Sequence, residues 1–354
     1  MKARKHINET TPLYFYKTIM LCVLVVCTIA ACKKYLPEER ETVGGDSQFI
    51  VDNYQPVLGR TNFFTGNFFK GSTTFPSDFK IVNPRRRNGD PAPELTDLFP
   101  VKVWKGAYTG DEKSLAEIEA KREIQYRPIF EIGPHSGALT LWAEGRSNFL
   151  RPQPDSGYLF DVELSNSGGR RFYKGLKLMP FRERPYEPSN YNPISGQPLS
   201  NGVGPSVVSS IKGATSGRYL GGYGDIEVYI RKINGSSSQA NSISFKFLDT
   251  LFQPIDPAMF SSTNWAELLH GFDMQKTSTE VTYKVAFPVP LIELPTKYTS
   301  NDGRRARVRF GYSRIGFGNQ REDAVLGLDF ALYEAGVWEI VFAFKKDNPK
   351  FTND

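Results

Sequence analysis

Beyond residue 32 the chain has no cysteine, its three thiols being Cys22, Cys27 and Cys32. That absence excludes a disulfide framework, a thiolate metal site and a cysteine nucleophile from everything downstream. Histidine is almost as scarce, with His6, His135 and His270 only, too few for a histidine-based zinc cluster or triad. His135 sits in "GPHSG", which is not the G-x-S-x-G nucleophile elbow and reads as a turn. Phosphate loops are missing as well, because "GGYGD" and "IGFGN" hold glycines without the full spacing that leads into a helix. No calcium loop of alternating acids appears. The sequence therefore predicts no metal and no cofactor. Long apolar runs are lacking too: the stretch Ile19 to Ala31 is 13 residues, short of the roughly 18 to 20 that a membrane-crossing helix requires.

What that short run does have is a basic lead. Lys2, Arg4, Lys5 and Lys17 stand against one acid, Glu9, and the run closes on Ala30 and Ala31. This is the three-part layout of a secretory signal. Ile29-Ala30-Ala31-Cys32 resembles the bacterial lipobox, which implies cleavage after Ala31 and a lipid on Cys32. Two or more acyl chains, at about 0.8 kcal/mol per buried methylene, hold a protein stably on a membrane. Cys22 and Cys27 would be removed with the signal. So would four basic residues and one acid, which takes the net charge from +6 to +3 and leaves 323 residues. Much of the basicity belongs to the signal, and nucleic acid is not an expected partner.

Directly after Cys32, "KKYLPEERETVGGD" is polar and without apolar periodicity, and reads as a tether. Lys33, Lys34, Glu38 and Glu39 loosely resemble the surface-export signal of Bacteroidetes-type lipoproteins. Beyond it, alternation with period two dominates. Phe160, Val162 and Leu164 share one face, "SNSGG" turns the chain, and "RRFYKGLKL" returns as a hairpin. The second half repeats the habit through Ile226/Val228/Ile230, Ile243/Phe245/Phe247, Val308/Phe310/Tyr312 and Trp338/Ile340/Phe342. Helix is expected only at residues 111–122 and as a short turn at "NWAELLHG", with Asn264 as cap and Glu267 at the box position. The expected fold is all-β: two β-sandwich-like domains after a signal peptide and tether, with one or two short helices. Pro, Asn, Ser and Gly crowd residues 182–205. The predicted division is 1–31 signal peptide, 32–48 lipidated cysteine and tether, 49–200 N-terminal domain and 201–354 C-terminal domain, with a single domain carrying a long ordered loop as the alternative.

Paired carboxylates raise glycoside hydrolysis, since Asp225/Glu227 and Asp161/Glu163 each set two acids about 6 to 7 Å apart along a strand. The pattern is common on solvated faces, and pairing with Arg231 or neighbouring bases is the simpler reading. Face parity makes the tryptophans more informative. Val101 and Val103 point inward, so Trp104 shares the polar face with Lys102; Leu139 and Leu141 point inward, leaving Trp142 with Thr140. Trp104 and Trp142 are the candidate ligand-binding residues, since an amphipathic ring stacks on a sugar, unless a loop or the second domain covers them. Trp338 reads as core and Trp265 as helix packing. Arg85-Arg86-Arg87 reads as a charged hairpin tip, and Arg305, Arg307 and Arg309 as one solvated strand face; an acidic glycan or lipopolysaccharide phosphate is the alternative ligand.

The stretches "CKKYLPEERETVGGDSQF", "YQPVLGRTNFF", "PAPELTDLFPVKVWKGAYTGDEKSLAEIEAKR", "RERPYEPSNY" and "GRRARVRFGYSRIGFGNQREDAVLGLDFALYEAGVWEI" resemble a Bacteroidetes outer-membrane lipoprotein family of uncharacterised function, domain of unknown function 5007. The resemblance runs through the whole mature chain. It implies an accessory lipoprotein beside a starch-utilisation-type importer, displayed on the cell surface, with a glycan as ligand and an outer-membrane transporter as partner. It assigns no residue except Cys32. The expected function is non-enzymatic binding of a glycan or other nutrient by a lipid-anchored outer-membrane protein. The alternatives are a structural or assembly lipoprotein that binds envelope proteins and, third, a glycoside hydrolase.

Overall fold

The computed structural model describes residues 41–200, 202–234 and 241–354, together with the single residue Met20; the expected signal peptide, Cys32 and the expected tether up to residue 40 lie outside them. Residues 41–48, also expected as tether, instead pack on the N-terminal half, where Thr42 N donates to Thr74 Oγ1, Gly44 N donates to Thr73 Oγ1, Val43 lies against the core and Ser47 is buried. The fold is all-β, and its strands follow from the alternation. In Ala306–Ile315 each buried residue is succeeded by a half-buried one, and the strand pairs antiparallel with Arg321–Leu332, setting Val308 against Leu328 and Phe310 against Leu326. A second sheet runs Ile226–Lys232, Val337–Phe344, Ser242–Leu248, Val281–Lys284 and Phe272–Lys276 in spatial order. The apolar faces of the two sheets meet in one core that holds Ile226, Phe245, Phe247, Phe310, Phe330 and Phe342. Facing sheets with alternating inward residues are the sandwich arrangement.

The N-terminal half has its own core, gathered around Tyr54, Val101, Leu139, Phe160, Val162 and Leu178. One sheet orders Asn53–Tyr54, Gly169–Leu178, Tyr158–Asn166 and Asp78–Arg86; another orders Asn62–Phe64, Leu139–Leu141 and Phe130–Ile132. A ribbon of Leu98–Trp104 and Arg122–Pro128 pairs Pro100 with Tyr126 and Lys102 with Ile124. Residues 182–200 are more than a connector: Tyr186 and Glu187 pair with Leu332 and Ala331, and the Tyr186 ring packs edge-on to Trp338 at 6.0 Å. The chain thus joins the C-terminal sheet at Tyr186. Arg60 ties the N-terminal half to this point, 2.8 Å from Glu187 Oε1 and 3.7 Å above the Tyr333 ring.

The helix expected over residues 111–122 is shorter than the pattern predicts, and the short turn expected at "NWAELLHG" forms. Helix forms over Leu115–Ala120, capped by Ser114, whose side chain accepts from Glu117 N. It stops there because Arg122 enters the ribbon opposite Trp104 and its Nη1 donates to Phe287 O at 2.7 Å. At "NWAELLHG" only the 3₁₀ turn Trp265–Glu267 forms; Asn264 makes no backbone cap, and its Nδ2 donates to Glu267 Oε2 instead. Trp265 is buried against the core, its ring 5.6 Å from Phe310.

The helix joins the halves. Ile118, Ala286 and Leu291 form a third cluster with Trp104, Tyr108, Leu115 and Phe272 against it. His270 Nδ1 lies 2.5 Å from Tyr108 Oη, its Nε2 lies 3.0 Å from Glu112 O, and its ring stacks on Tyr298 at 5.0 Å. The Glu112 side chain anchors this joint. Burial pushes its carboxyl up, but Lys121 and the N–H groups of Thr109 and Gly110 outweigh burial and hold it at about 2. A carboxyl whose folded pKa is depressed stabilises the fold above its unfolded value, near 4.5, and loses that contribution as pH falls toward 2. The shift corresponds to on the order of 3 kcal/mol. Glu112→Gln is therefore expected to lower stability at pH 7 and to flatten the loss between pH 5 and 2; parallel urea midpoints in mutant and wild type across that range would contradict this.

Candidate ligand-binding surfaces

Trp104 lies on the outward face of the ribbon, as its parity with Lys102 requires, since Val101 and Val103 are buried. The rest of the joint covers it. The Arg122 guanidinium stands 4.9 Å from its ring centroid and Tyr108 packs at 5.5 Å. Trp104 is half-buried, and it is covered from the partner strand by Arg122 and from the following loop by Tyr108, neither of which strand alternation registers.

Trp142 is placed differently. Leu139 and Leu141 are fully buried, and the small sheet sets Phe63, Thr140 and Glu131 side by side on its other face. Trp142 joins that face at the strand end. Its Nε1 donates to Glu131 Oε1 at 3.2 Å, Arg127 stands 5.6 Å from its ring centroid, and Phe63 meets it edge-on at 6.3 Å. Phe63 is 64% exposed. An exposed ring beside a half-buried indole, flanked by one carboxylate and one guanidinium, offers an apolar platform with hydrogen-bonding edges. Reading only tryptophans missed Phe63; its signal was the same parity, because the small sheet pairs it directly with Thr140.

The structure separates the two carboxylate pairs. Asp161 and Glu163 are not equivalent, because the register against both neighbouring strands shifts beside Asp161, although the strand keeps its own alternation. Asp161 is buried, accepts from Gly175 N and Asn83 Nδ2, and pairs with Arg85 at 3.3 Å. Burial pushes its carboxyl up and those partners more than compensate, leaving it lowered. Asp225 precedes its strand and is gripped by Arg218 through both nitrogens at 2.6 and 2.8 Å. That pairing, then the Gly221 N–H, holds Asp225 at about 2. A general acid needs a raised pKa at working pH, and both of these carboxyls are held as ions. Glu227 pairs with Lys345, while Arg231 pairs with Glu339 rather than with either acid.

His135 lies in an exposed turn at an open cleft of about 530 Å³ that also includes Asp78, Glu163 and Arg170. Its Nδ1 is 3.0 Å from Asp78 Oδ1. The nearby Ser167 hydroxyl donates to Glu41 and not to the imidazole. Among the described residues, no three His, Cys, Asp or Glu side chains converge to hold a metal. The basic runs are largely neutralised: Arg85 pairs with Asp161, Arg86 with Glu94, and both Arg307 and Arg309 with Asp329.

One apolar surface is conspicuous. On the ribbon, Leu98, Ile124 and Tyr126 are each more than 60% exposed, and the register brings Tyr126 beside Pro100 and Ile124 beside Lys102. The parity that placed Trp104 outward also applies to Leu98 and Pro100, so this strip was legible from the sequence.

A family model described as a domain of unknown function, DUF5007, matches residues 68–353. The chain belongs to the DUF5007 family. The match takes in the ribbon, Trp142 and the Asp225–Tyr229 segment of this DUF5007 chain, and it begins after Phe63. No curated protein and no solved structure matches the chain. No helix among the described residues is long and apolar enough to cross a membrane.

Proposed function

We propose that this DUF5007 protein is a non-enzymatic, lipid-anchored outer-membrane protein that binds a glycan or other nutrient beside a starch-utilisation-type importer. The observation that carries the binding role is the Phe63–Trp142 platform, an exposed ring edge-on to an indole with Glu131 and Arg127 at its rim. The non-enzymatic part is supported by Asp161 and Asp225, which are committed to ion pairs instead of being poised to deliver a proton. The anchor rests on the basic lead, the short apolar run and Cys32.

Affinity electrophoresis of the full chain in gels containing polysaccharides tests the binding role. Phe63→Ala with Trp142→Ala is expected to reduce retention about tenfold or more, as loss of two stacking contacts implies. Trp104→Ala should instead lower the melting temperature with retention preserved, since its ring packs at the joint. Retention unchanged by the Phe63/Trp142 pair removes this platform as the site.

The apolar ribbon favours a second reading, a lipoprotein that assembles with another envelope protein, because exposed apolar patches mark protein contacts. Crosslinking in intact cells distinguishes the two: a protein partner lost on Ile124→Lys with Tyr126→Lys, without any change in glycan retention, places assembly on the ribbon.

A further inference from the structure

The glycine-rich segment "GGYGDIEVY", residues 221–229, takes no part in the surfaces above. On its strand Ile226, Val228 and Ile230 are buried, so Glu227 and Tyr229 face outward. Tyr229 Oη donates to Glu227 Oε2 at 2.6 Å. Lys345, at the end of the adjacent strand, stands 3.4 Å from the Glu227 carboxylate and 3.5 Å from Tyr229 Oη. The same ammonium lies 5.3 Å from the Phe252 ring centroid. Ahead of the strand, Gly224 turns at φ +106, a conformation that favours glycine. Just before it, Tyr223 accepts a hydrogen bond from Gly202 N at 3.0 Å. A side chain at Gly202 would collide with both Glu227 and the Tyr223 ring, so these two groups close around one point of backbone. The result is a continuous strip: Tyr223, Glu227, Tyr229, Lys345, Phe252.

Phe252 is held there at a conformational cost. Its φ is +59, a region where a bulky residue is strained. Asp249 Oδ1 locks the turn by accepting from Leu251 N and Gln253 N, and Thr250 N donates to Asn348. Burial does not offset the strain, since Phe252 is 56% exposed and Tyr223 is 57% exposed. A strained backbone that presents an aromatic ring to solvent serves something outside the core.

We infer that this strip is a saccharide-binding surface on the C-terminal half, selective for neutral sugars; the inference rests on the glycan-binding reading above. The rings of Tyr223 and Phe252 supply flat apolar faces for the C–H side of a pyranose. Glu227 offers acceptors, Lys345 donors and Tyr229 either, matching the hydroxyls at a sugar's rim. Glu227 and Lys345 cancel in charge, and the neighbouring Asp225 is neutralised by Arg218. Lys346 and Asp347, the other charges that act on the Asp225–Arg218 pair, are also opposite in sign, so the strip carries no net charge to select a uronate, sulfate or phosphate, and the ligand class is a neutral oligosaccharide.

The test is affinity electrophoresis of the full chain against a neutral glucan, mannan and xylan, with polygalacturonate as the acidic polymer. Wild type should be retained by at least one neutral polymer. Tyr223→Ala with Phe252→Ala should weaken retention roughly tenfold. Phe252→Gly provides the separating measurement: it relieves the positive φ, so the melting temperature should hold or rise while retention falls. A merely structural Phe252 would move neither in that pattern. Retention lost with Phe63→Ala and Trp142→Ala but untouched by the Tyr223 and Phe252 variants overturns this strip and leaves glycan binding intact. Retention by polygalacturonate alone overturns the neutral-ligand assignment, and no retention of wild type by any polymer removes both readings together.

Discussion

Cys32→Ala is expected to convert the protein from a membrane-held to an aqueous or unprocessed form. If cleavage follows Ala31, Cys32 becomes the first residue of the mature chain and the attachment point for the anchor. Each buried methylene contributes about 0.8 kcal/mol, so two or more acyl chains hold a protein stably on the bilayer, whereas none leaves no anchor at all. The apolar run is too short to substitute as a span. The effect is accordingly near all-or-none. Metabolic labelling with a fatty acid and detergent-phase partition measure it: wild type should label and enter the detergent phase, and Cys32→Ala should do neither. Equal labelling of the two proteins would refute the lipid anchor. Cys22→Ala or Cys27→Ala should be silent in the same assay.

Phe310→Ala is expected to cost about 3 to 5 kcal/mol, the range for truncating a buried aromatic. The ring is fully buried where the two C-terminal sheets meet, with Phe247 at 4.8 Å, Phe342 at 5.3 Å, Phe245 at 5.5 Å and Trp265 at 5.6 Å. Those neighbours come from several strands and a turn held by backbone hydrogen bonds, so the vacated volume cannot close by side-chain movement alone. Natural domains have about 5 to 15 kcal/mol in total, and the melting temperature should fall by roughly 10 °C. The adjacent Arg309 provides the contrast. It points to the other face, 2.7 Å from Asp329 with both groups partly exposed, and Arg309→Ala should cost about 1 kcal/mol or less. Urea unfolding of both variants tests the pair, and a Phe310→Ala cost within 1 kcal/mol of wild type contradicts the packing described for this core.

The inward residues of the long strands were legible because period-two alternation needs only the local chain. Phe160, Val162 and Leu164 are all fully buried, as are Phe245, Phe247, Phe310 and Phe342, and Trp338 is core as its parity indicates. The same parity put Trp104 and Trp142 on the outward faces. What parity does not carry is the cover on those faces. Trp104 is covered by Arg122 and Tyr108, and Trp142 is met by Phe63 and Arg127; of these only Tyr108 is close to its tryptophan in sequence. Asp161 misled for a related reason: it keeps its outward parity, but the irregular neighbouring strands bring Asn83, Arg85 and Gly175 onto it and bury it, with no local mark in composition. Arg231 found Glu339 on the next strand, a partner fixed by sheet order, which short-range pattern does not encode.

By itself the sequence determined the class of fold, the inward face of each long strand, the absence of thiol chemistry after Cys32 and the single cysteine on which the anchoring proposal rests. Those are properties of composition and short-range periodicity, complete within a few residues of chain. Only the tertiary structure decided that Trp104 packs at the joint while Phe63 stands open beside Trp142, that Asp225 is held by Arg218, and that Tyr223, Glu227, Tyr229, Lys345 and Phe252 form one strip. Each of these depends on side chains meeting across strands and loops, and at several of them the partners lie dozens of residues apart, where distance along the chain no longer predicts distance in space.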